Sequence, residues 1–434
     1  MAAFFVFGLF AYYWIVLRRH AQKGSTLAIL LWFLYVCLGL SGVFIALTGG
    51  IQPIFEPNYL STSVLLIGIT LSISGFLRFR VQDISQIFGK IRGQRFIENF
   101  LIISQLLAIG YFLPFAISSL IGDVNENRLL LSDKMEVMKT YGLINTLAGA
   151  ASQLFSSSLV LAFTRLVPKK NQGRSVFRSL LLILSSFSFV IYILAYVGRD
   201  GVVYWLMTAI MIFLIFRRHL DPADRRKIVL FGLFIAIVIL LPFGVITIAR
   251  FFDADQGAGW SFFEYFGAQI QNFSDYSSID RPITLGIQNF PMFVNGGCTV
   301  MGLDCSSLSA INDVVSYTYL NQGKAPWLFG TFVSDFSGDF GNIGALAVLL
   351  VFSMLCARVC SLGGPKNSFS LPRLLLILFL FLIPYWGVFY FRFSIANGYI
   401  VVNLAFIFFV ALLQWLSPVF EKKYDFIIQR NFDS

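Results

Sequence analysis

Apolar runs of roughly twenty residues recur along the whole chain, and a helix of about that length crosses the hydrocarbon core of a bilayer. Hydrophobic residues make up 57% of the 434 positions and charged residues only 12%. This composition leaves too little polar surface to cover a soluble globule of this size. The sequence therefore predicts an all-α, polytopic integral membrane protein.

About eleven such runs can be distinguished, and we predict one transmembrane helix for each. The first run has no basic stretch before it and no small-residue cleavage site after it, which favours a retained helix over a cleaved signal peptide. Residues 1–434 then form a single integral membrane domain. The predicted spans are Ala2–Leu17, Thr26–Leu47, Tyr59–Leu77, Phe100–Ser119, Leu143–Leu166, Ser179–Val197, Val202–Phe216, Ile228–Ala249, Asn342–Val359, Leu374–Phe391 and Tyr399–Trp415.

The basic residues give these helices an orientation, because cytoplasmic loops carry an excess of Lys and Arg. The net charge of +10 is explained by this topology and does not indicate nucleic-acid binding. We expect a bacterial inner-membrane protein with a periplasmic N-terminus and a cytoplasmic C-terminus. The basic loops are Arg18–Lys23, Arg78–Arg95, Arg165–Arg178, Arg217–Lys227, Arg358–Arg373 and Lys422–Arg430.

Two predicted periplasmic loops are long: residues 120–142, and residues 250–341 between the eighth and ninth helices. Long loops on a rigid scaffold are functional or disordered, and the second is rich in the aromatic residues that disordered segments lack. It also contains Cys298 and Cys305, seven residues apart in GGCTVMGLDC. An oxidising compartment lets such cysteines pair, so we expect a disulfide, with two free thiols as the alternative.

Several enzyme classes lose support because their motifs are missing. Both histidines, His20 and His219, fall in predicted cytoplasmic loops, so no external histidine can act as a base. The sequence has no HExxH, Walker or GxSxG motif, and the CxxxC of Cys356 and Cys360 has no further ligand nearby. We expect neither a metal site nor a cofactor.

Four arginines lie on the predicted periplasmic side, against the positive-inside trend. A guanidinium binds phosphate through two parallel hydrogen bonds, so a bound anion would explain their presence. The alternative for each is an ion pair with an acid or contact with lipid headgroups. They are Arg199 in VGRDG, Arg250 at the end of the eighth span, Arg281 in IDRPI and Arg392 in FYFRF.

Asp335 and Asp339 lie four residues apart at the predicted outer end of the ninth helix. A helix would place both carboxylates on one face. Such a pair could hold the arginines, bind sugar hydroxyls or supply a general base for an attacking hydroxyl. A structural ion pair with Arg250 or Arg392 is the alternative.

This arrangement resembles the O-antigen polymerase family, the Wzy-type oligosaccharide repeat unit polymerases. Three features carry the resemblance: the GRDG turn of Gly198–Gly201, the long external loop, and the T-x-x-x-D-x-x-x-D-F-G-x-x-G run of Thr331–Gly344. The resemblance covers roughly Ser179–Trp415, whereas the first half of the chain matches only as generic membrane spans.

The resemblance implies a GT-C-like polymerase architecture and an enzyme of polysaccharide biosynthesis, such as that of the O antigen of lipopolysaccharide. Its glycosyl transfer is metal-independent and joins undecaprenyl-diphosphate-linked repeat units on the periplasmic face. Asp335 or Asp339 would orient or deprotonate the acceptor hydroxyl. The expected diphosphate-binding residues are Arg199, Arg250, Arg392 and Arg281.

A flippase or polysaccharide exporter for the same lipid-linked oligosaccharide is the main alternative, since it also needs cations for the diphosphate. Such a transporter should carry charge within its spans, and these spans are nearly free of it. Membrane acyltransferases and lipid-linked ligases are disfavoured because each would need a histidine that this chain lacks outside its cytoplasmic loops. The expected partners are the lipid-linked oligosaccharide, membrane lipid and a chain-length regulator protein, without nucleic acid.

Overall fold

The computed structural model of the chain describes most of the residues between its termini. Every regular element among them is a helix, so the prediction of an all-α fold is confirmed for this part of the chain. The described residues are 1–48, 58–80, 93–120, 142–167, 176–196, 198, 200–230, 232–233, 237, 263–264, 266–277, 279, 282–302, 307–321, 329–361, 370–394 and 397–432.

We number the helices in chain order. Residues 222–230 are also helical and follow α9. The numbered helices are α1 (Ala2–Ala21), α2 (Thr26–Thr48), α3 (Tyr59–Ser74), α4 (Gln94–Leu120), α5 (Gly142–Gln153), α6 (Phe155–Leu166), α7 (Val176–Ser186), α8 (Ser188–Ala195), α9 (Asp200–Phe216), α10 (Gln269–Ser277), α11 (Pro291–Met301), α12 (Ser307–Asn321), α13 (Thr331–Ser361), α14 (Leu371–Trp386) and α15 (Asn397–Phe432).

Six helical stretches among the described residues are long and apolar enough to cross a membrane: α1, α2, α4, α7 together with α8, α13, and the first part of α15. A seventh results if α5 and α6, which are bent by 41° relative to each other, form one span. Helices α3, α9 and α14 are apolar but shorter. By length and composition, the chain is therefore a polytopic membrane protein.

Each predicted span except Ile228–Ala249 overlaps one of these helices, and most of that span lies outside the described residues. The number of transmembrane helices, about eleven, therefore stays a prediction. Helix α14 ends at Trp386, earlier than the predicted Phe391, because the chain turns at residues 387–390. The segment predicted as the large loop contains α10, α11, α12 and the beginning of α13.

Two compact units can be distinguished by their internal contacts. The first contains α1, α2, α3, α10, α11, α12 and α13, and it comprises Met1–Val81, Leu240–Leu362 and Ile377–Ile400. Within it, α13 packs along α3. This close approach needs glycine, because a Cβ added at Gly75 would lie 2.8 Å from the Cβ of Cys356.

The second unit comprises Gln82–Ile239, Gly363–Leu376 and Val401–Ser434. One of its spans is bent, at Leu154 between α5 and α6, whereas α7 and α8 form one apolar stretch of 20 residues with Phe187 between them. Asn403 Nδ2 donates to the Gln153 carbonyl beside the bend at 3.2 Å. Trp205 Nε1 donates to Ser186 Oγ, next to Phe187, at 2.9 Å.

A buried ion cluster stabilises the second unit. The carboxylate of Glu98 is fully buried and accepts from Arg165 Nε at 2.6 Å and Nη2 at 2.9 Å. It also accepts from Arg178 Nη1 at 3.3 Å and from Gln94 Nε2 at 2.7 Å. The sequence did not indicate this cluster, since Glu98 is 67 and 80 positions away from its two arginines.

Candidate functional site

A break in α13 separates the two predicted aspartates from the apolar helix that follows. Gly341 has φ +69° and ψ 168°, a conformation that residues with a Cβ rarely adopt. Residues 331–340 therefore form a short helix of their own, which we call the short helix, and the apolar helix begins where the predicted ninth span begins. Asp335 and Asp339 lie one turn apart on the short helix, as expected from their spacing.

Asp339 is fully buried, and donors surround its carboxylate. One oxygen, Oδ1, accepts from Thr284 Oγ1 and from the Gln288 N–H at 3.1 Å. The other, Oδ2, accepts from the Asn289 N–H at 3.0 Å and from Asn289 Nδ2 at 2.6 Å. Its backbone carbonyl accepts from the N–H groups of Thr284 and Leu285 at 3.0 and 2.9 Å. These contacts make Asp339 an anchor for the turn formed by residues 284–289.

The anchored turn has a strained backbone. Leu285 has φ +50° and Gly286 has φ +96°, so two consecutive residues lie in the left-handed region. For a residue with a branched side chain such as leucine this conformation is rare and costs about 1 to 3 kcal/mol. The hydrogen bonds that Asp339 accepts from the turn provide the stabilisation that keeps it in this shape.

Two buried asparagines extend the network from this turn to the beginning of α15. Asn289 Nδ2 donates to the Asp335 carbonyl at 2.8 Å in addition to Asp339. Asn397 Nδ2 donates to the Asn289 carbonyl at 2.9 Å, and Asn397 Oδ1 accepts from the Met292 N–H at 3.0 Å. Residues from three separate parts of the sequence are thereby held in one hydrogen-bonded cluster.

Asp335 has a different environment from that of Asp339. It is only partly buried, and its Oδ2 accepts a hydrogen bond from the backbone N–H of Phe391. Of the two aspartates, Asp335 is therefore the more exposed one. This difference could not be predicted from the spacing of the two aspartates.

Arg392 directly follows the residue that donates to Asp335. It lies in a 3-10 turn, Arg392–Ser394, and is partly exposed. Its Nη1 donates to the hydroxyl of Tyr390 at 3.1 Å. The ring of Tyr390 stacks on Phe329, with 5.0 Å between the ring centroids and 15° between the planes. The hydrogen bond from the Phe391 N–H to Asp335 thus brings the Asp335 carboxylate and the Arg392 guanidinium to the same part of the first unit.

Aromatic rings form a wall beside Asp335. Phe336 and Phe391 lie 5.0 Å apart by ring centroid, and Phe290 lies 5.3 Å from Phe391. Phe391 is also in edge contact with Phe393 at 5.6 Å. Apolar walls exclude water, and electrostatic interactions are stronger where water is excluded.

The short helix carries two buried hydroxyls that meet no hydrogen-bond partner among the described residues, Thr331 Oγ1 and Ser337 Oγ. Thr331 also has φ +74°, which is unusual for a β-branched residue. Its N–H donates to the Phe389 carbonyl at 2.8 Å, and the Phe332 N–H donates to the Gly387 carbonyl at 2.8 Å. Strained residues and unpaired buried polar atoms occur preferentially at functional sites.

The structure describes only one of the five other residues that the sequence predicts to have a functional or structural role. Arg199, Arg250 and Arg281 lie outside the described residues, so their contribution stays a prediction. Cys298, in α11, is disulfide-bonded, as the sequence predicts. Cys305 also lies outside the described residues, so the pairing of the two stays a prediction. The residues that sequence reasoning missed are Thr284, Asn289 and Asn397, which have no motif of their own.

Among the described residues, no group of three His, Cys, Asp or Glu side chains could hold a metal ion. Comparisons of the chain with protein-family models, with curated proteins and with solved structures found no match.

Proposed function

We propose that this chain is a membrane glycosyltransferase that joins undecaprenyl-diphosphate-linked oligosaccharide repeat units into a surface polysaccharide. The reaction needs an acceptor hydroxyl, a sugar carried on a lipid diphosphate, a group that takes the hydroxyl proton and cations that stabilise the departing diphosphate. The observation that best supports this function is the partly exposed Asp335, held by the Phe391 N–H next to Arg392.

Asp335 is the proposed general base. The acceptor hydroxyl oxygen attacks the anomeric carbon of the donor sugar, the bond from that carbon to the diphosphate oxygen breaks, and the hydroxyl proton passes to the Asp335 carboxylate. A positioned general base contributes about 10² to 10⁴ in rate. The hydrogen bond from the Phe391 N–H orients the carboxylate, and Asp335 is only partly buried.

Arg392 is the proposed ligand of the leaving diphosphate, with Arg199, Arg250 and Arg281 as further cations around it. A planar guanidinium can donate two parallel hydrogen bonds to a phosphate, and its charge opposes the negative charge that develops as the sugar leaves. The aromatic wall of Phe290, Phe336 and Phe391 would strengthen this interaction by keeping water away.

Asp339 has a positioning role in this proposal. Its carboxylate is saturated by donors from Thr284, Gln288 and Asn289, so it stabilises the turn against the short helix instead of meeting substrate. The buried hydroxyls of Thr331 and Ser337 are candidates for contact with a sugar hydroxyl or an ordered water.

The proposal includes a location in the bacterial inner membrane, with the N-terminus in the periplasm and the C-terminus in the cytoplasm. A phosphatase fused after Asn295 should then be active, because the enzyme folds only in the periplasm, and one fused after Gln172 should be inactive. The reverse pattern would refute the orientation.

A flippase for the same lipid is the second candidate, and one observation favours it. The second unit has one bent span, at Leu154 between α5 and α6, and discontinuous helices mark substrate sites in many transporters. Loss of a flippase abolishes all surface product, whereas loss of a polymerase leaves single repeat units attached at the surface.

Complementation of a strain that lacks this gene tests the proposal. Asp335→Asn and Arg392→Gln should each convert the long polysaccharide to single repeat units, because each removes a group that acts on the reacting atoms. Asp275→Asn and Arg358→Gln are matched controls: Asp275 is a half-buried carboxylate of the same unit and Arg358 is exposed near the other end of α13. Normal chain lengths from both site variants, at wild-type protein levels, would contradict the proposed function.

A further inference from the structure

A groove lined by four arginines lies at the end of α9. Arg217 and Arg218 come from the turn that follows α9, and Arg225 and Arg226 come from the helical residues 222–230. The groove has a volume of about 690 Å³. All of its lining residues belong to the second unit, whereas the residues of the candidate site belong to the first.

One of the arginines that line the groove has an unsatisfied donor. Arg225 Nε is buried, yet it meets no hydrogen-bond partner among the described residues. Asp221, just before the helical residues 222–230, and Asp224, within them, reduce the positive charge of the segment from Arg217 to Lys227. Lys227 adds to the four arginines, so this segment remains clearly cationic. A buried guanidinium N–H without an acceptor is costly, and a phosphate oxygen is an acceptor that suits it.

The other side of the groove is apolar. Val229 and Leu230 line it, and both are exposed, at 50% and 57%. Leu233 and Ile237, farther along the same segment, are also exposed at 57% and 51%. Cations followed by exposed apolar side chains along one segment match the boundary between lipid headgroups and acyl chains.

We propose that this four-arginine groove binds the phosphate headgroup of an anionic membrane phospholipid. The guanidinium groups receive the phosphate, Arg225 Nε gains its missing acceptor, and Val229 and Leu230 contact the beginning of the acyl chains. This inference does not depend on the proposed polymerase activity. It goes beyond a topological excess of positive charge, because it assigns a bound lipid and a partner for a specific buried atom.

Native mass spectrometry of the purified, full-length protein with added dioleoyl phosphatidylglycerol tests the inference. Each nearby arginine contributes about 5-fold to the affinity for an anionic surface, so Arg217→Gln/Arg218→Gln and Arg225→Gln/Arg226→Gln should each weaken binding by roughly 30-fold. Arg18→Gln/Arg19→Gln is the matched control, since both arginines are exposed in another basic segment. This control should leave binding within about 2-fold of wild type.

Three further binding measurements complete the test. Dioleoyl phosphatidylcholine should bind at least roughly 10-fold more weakly than phosphatidylglycerol, and inorganic phosphate more weakly still, because one lacks net charge and the other lacks acyl chains. Arg225→Lys keeps the charge without the Nε donor, and it should lose about 5-fold while the protein stays folded. Equal binding by the groove variants and the control pair would overturn the inference. So would inorganic phosphate binding as tightly as phosphatidylglycerol.

Discussion

Replacement of Asp339 by asparagine should destabilise the first unit, whereas the same replacement of Asp335 should not. The Asp339 carboxylate accepts four hydrogen bonds from Thr284, Gln288 and Asn289. An asparagine keeps one oxygen, so two of these bonds can persist, and its NH₂ group faces two donors instead of an acceptor. A hydrogen bond to a charged group contributes about 1.5 to 3 kcal/mol, so the variant should lose about 3 to 6 kcal/mol.

Asp335→Asn should cost only about 1 kcal/mol, because the remaining side-chain oxygen can still accept from the Phe391 N–H. The assay is thermal unfolding of the detergent-solubilised protein, followed by tryptophan fluorescence and by size-exclusion chromatography. The loss predicted for Asp339→Asn corresponds to a Tm decrease of roughly 10 °C. Asp275→Asn is the control, since Asp275 has a side-chain partner, Gln271, but is only half-buried.

Two results would refute this reasoning about Asp339. A variant that unfolds at the wild-type temperature would show that the carboxylate does not anchor the turn of residues 284–289. An Asp335→Asn variant that loses as much stability as Asp339→Asn would show that the two aspartates have equivalent structural roles.

Three further predictions concern other parts of the chain. Gly341→Ala should cost about 1 to 3 kcal/mol of stability, because alanine is strained at φ +69° and ψ 168°. The control Gly110→Ala should be neutral or slightly stabilising, because no atom lies near its added Cβ. Equal unfolding temperatures for the two variants would contradict the break in α13. Glu98→Gln should cost about 3 to 5 kcal/mol of stability, because it leaves two arginines without their buried counter-charge. The double variant Glu98→Gln/Arg165→Gln should recover part of this loss in the same unfolding assay. No recovery would argue against the ion pair. Mass mapping under non-reducing and reducing conditions should find a Cys298–Cys305 disulfide within the peptide that contains both cysteines. Free thiols at both positions in the mature protein would contradict the disulfide.

The helices could be predicted from the sequence because hydropathy is a local property. The apolar part of α13 was located from its hydropathy, and the break at Gly341 lies directly before the predicted start of the span at Asn342. The spans around α5 and α6 and around α7 and α8 were also located, but the bend at Leu154 was not, because leucine is not a helix breaker.

The arrangement of the site could be predicted only in part. The sequence indicated Asp335, Asp339 and Arg392 from their types and positions. It could not distinguish a buried anchor from an accessible carboxylate, because the donors to Asp339 come from residues 50 to 55 positions earlier in the chain. Asn289 and Asn397, which join three segments, are separated by 108 positions and gave no local signal.

Chain growth by the purified protein tests the central proposal most directly. The protein would be reconstituted in liposomes with the undecaprenyl-diphosphate-linked repeat unit extracted from a strain that lacks this gene, and the products would be separated by length on a gel. The wild type should produce a ladder of increasing repeat number without added metal, and Asp335→Asn should reduce the rate by at least about 100-fold while Asp275→Asn does not. A wild-type protein that moves the lipid across the bilayer but never joins two repeat units would contradict the account, and so would an Asp335→Asn variant with wild-type chain growth.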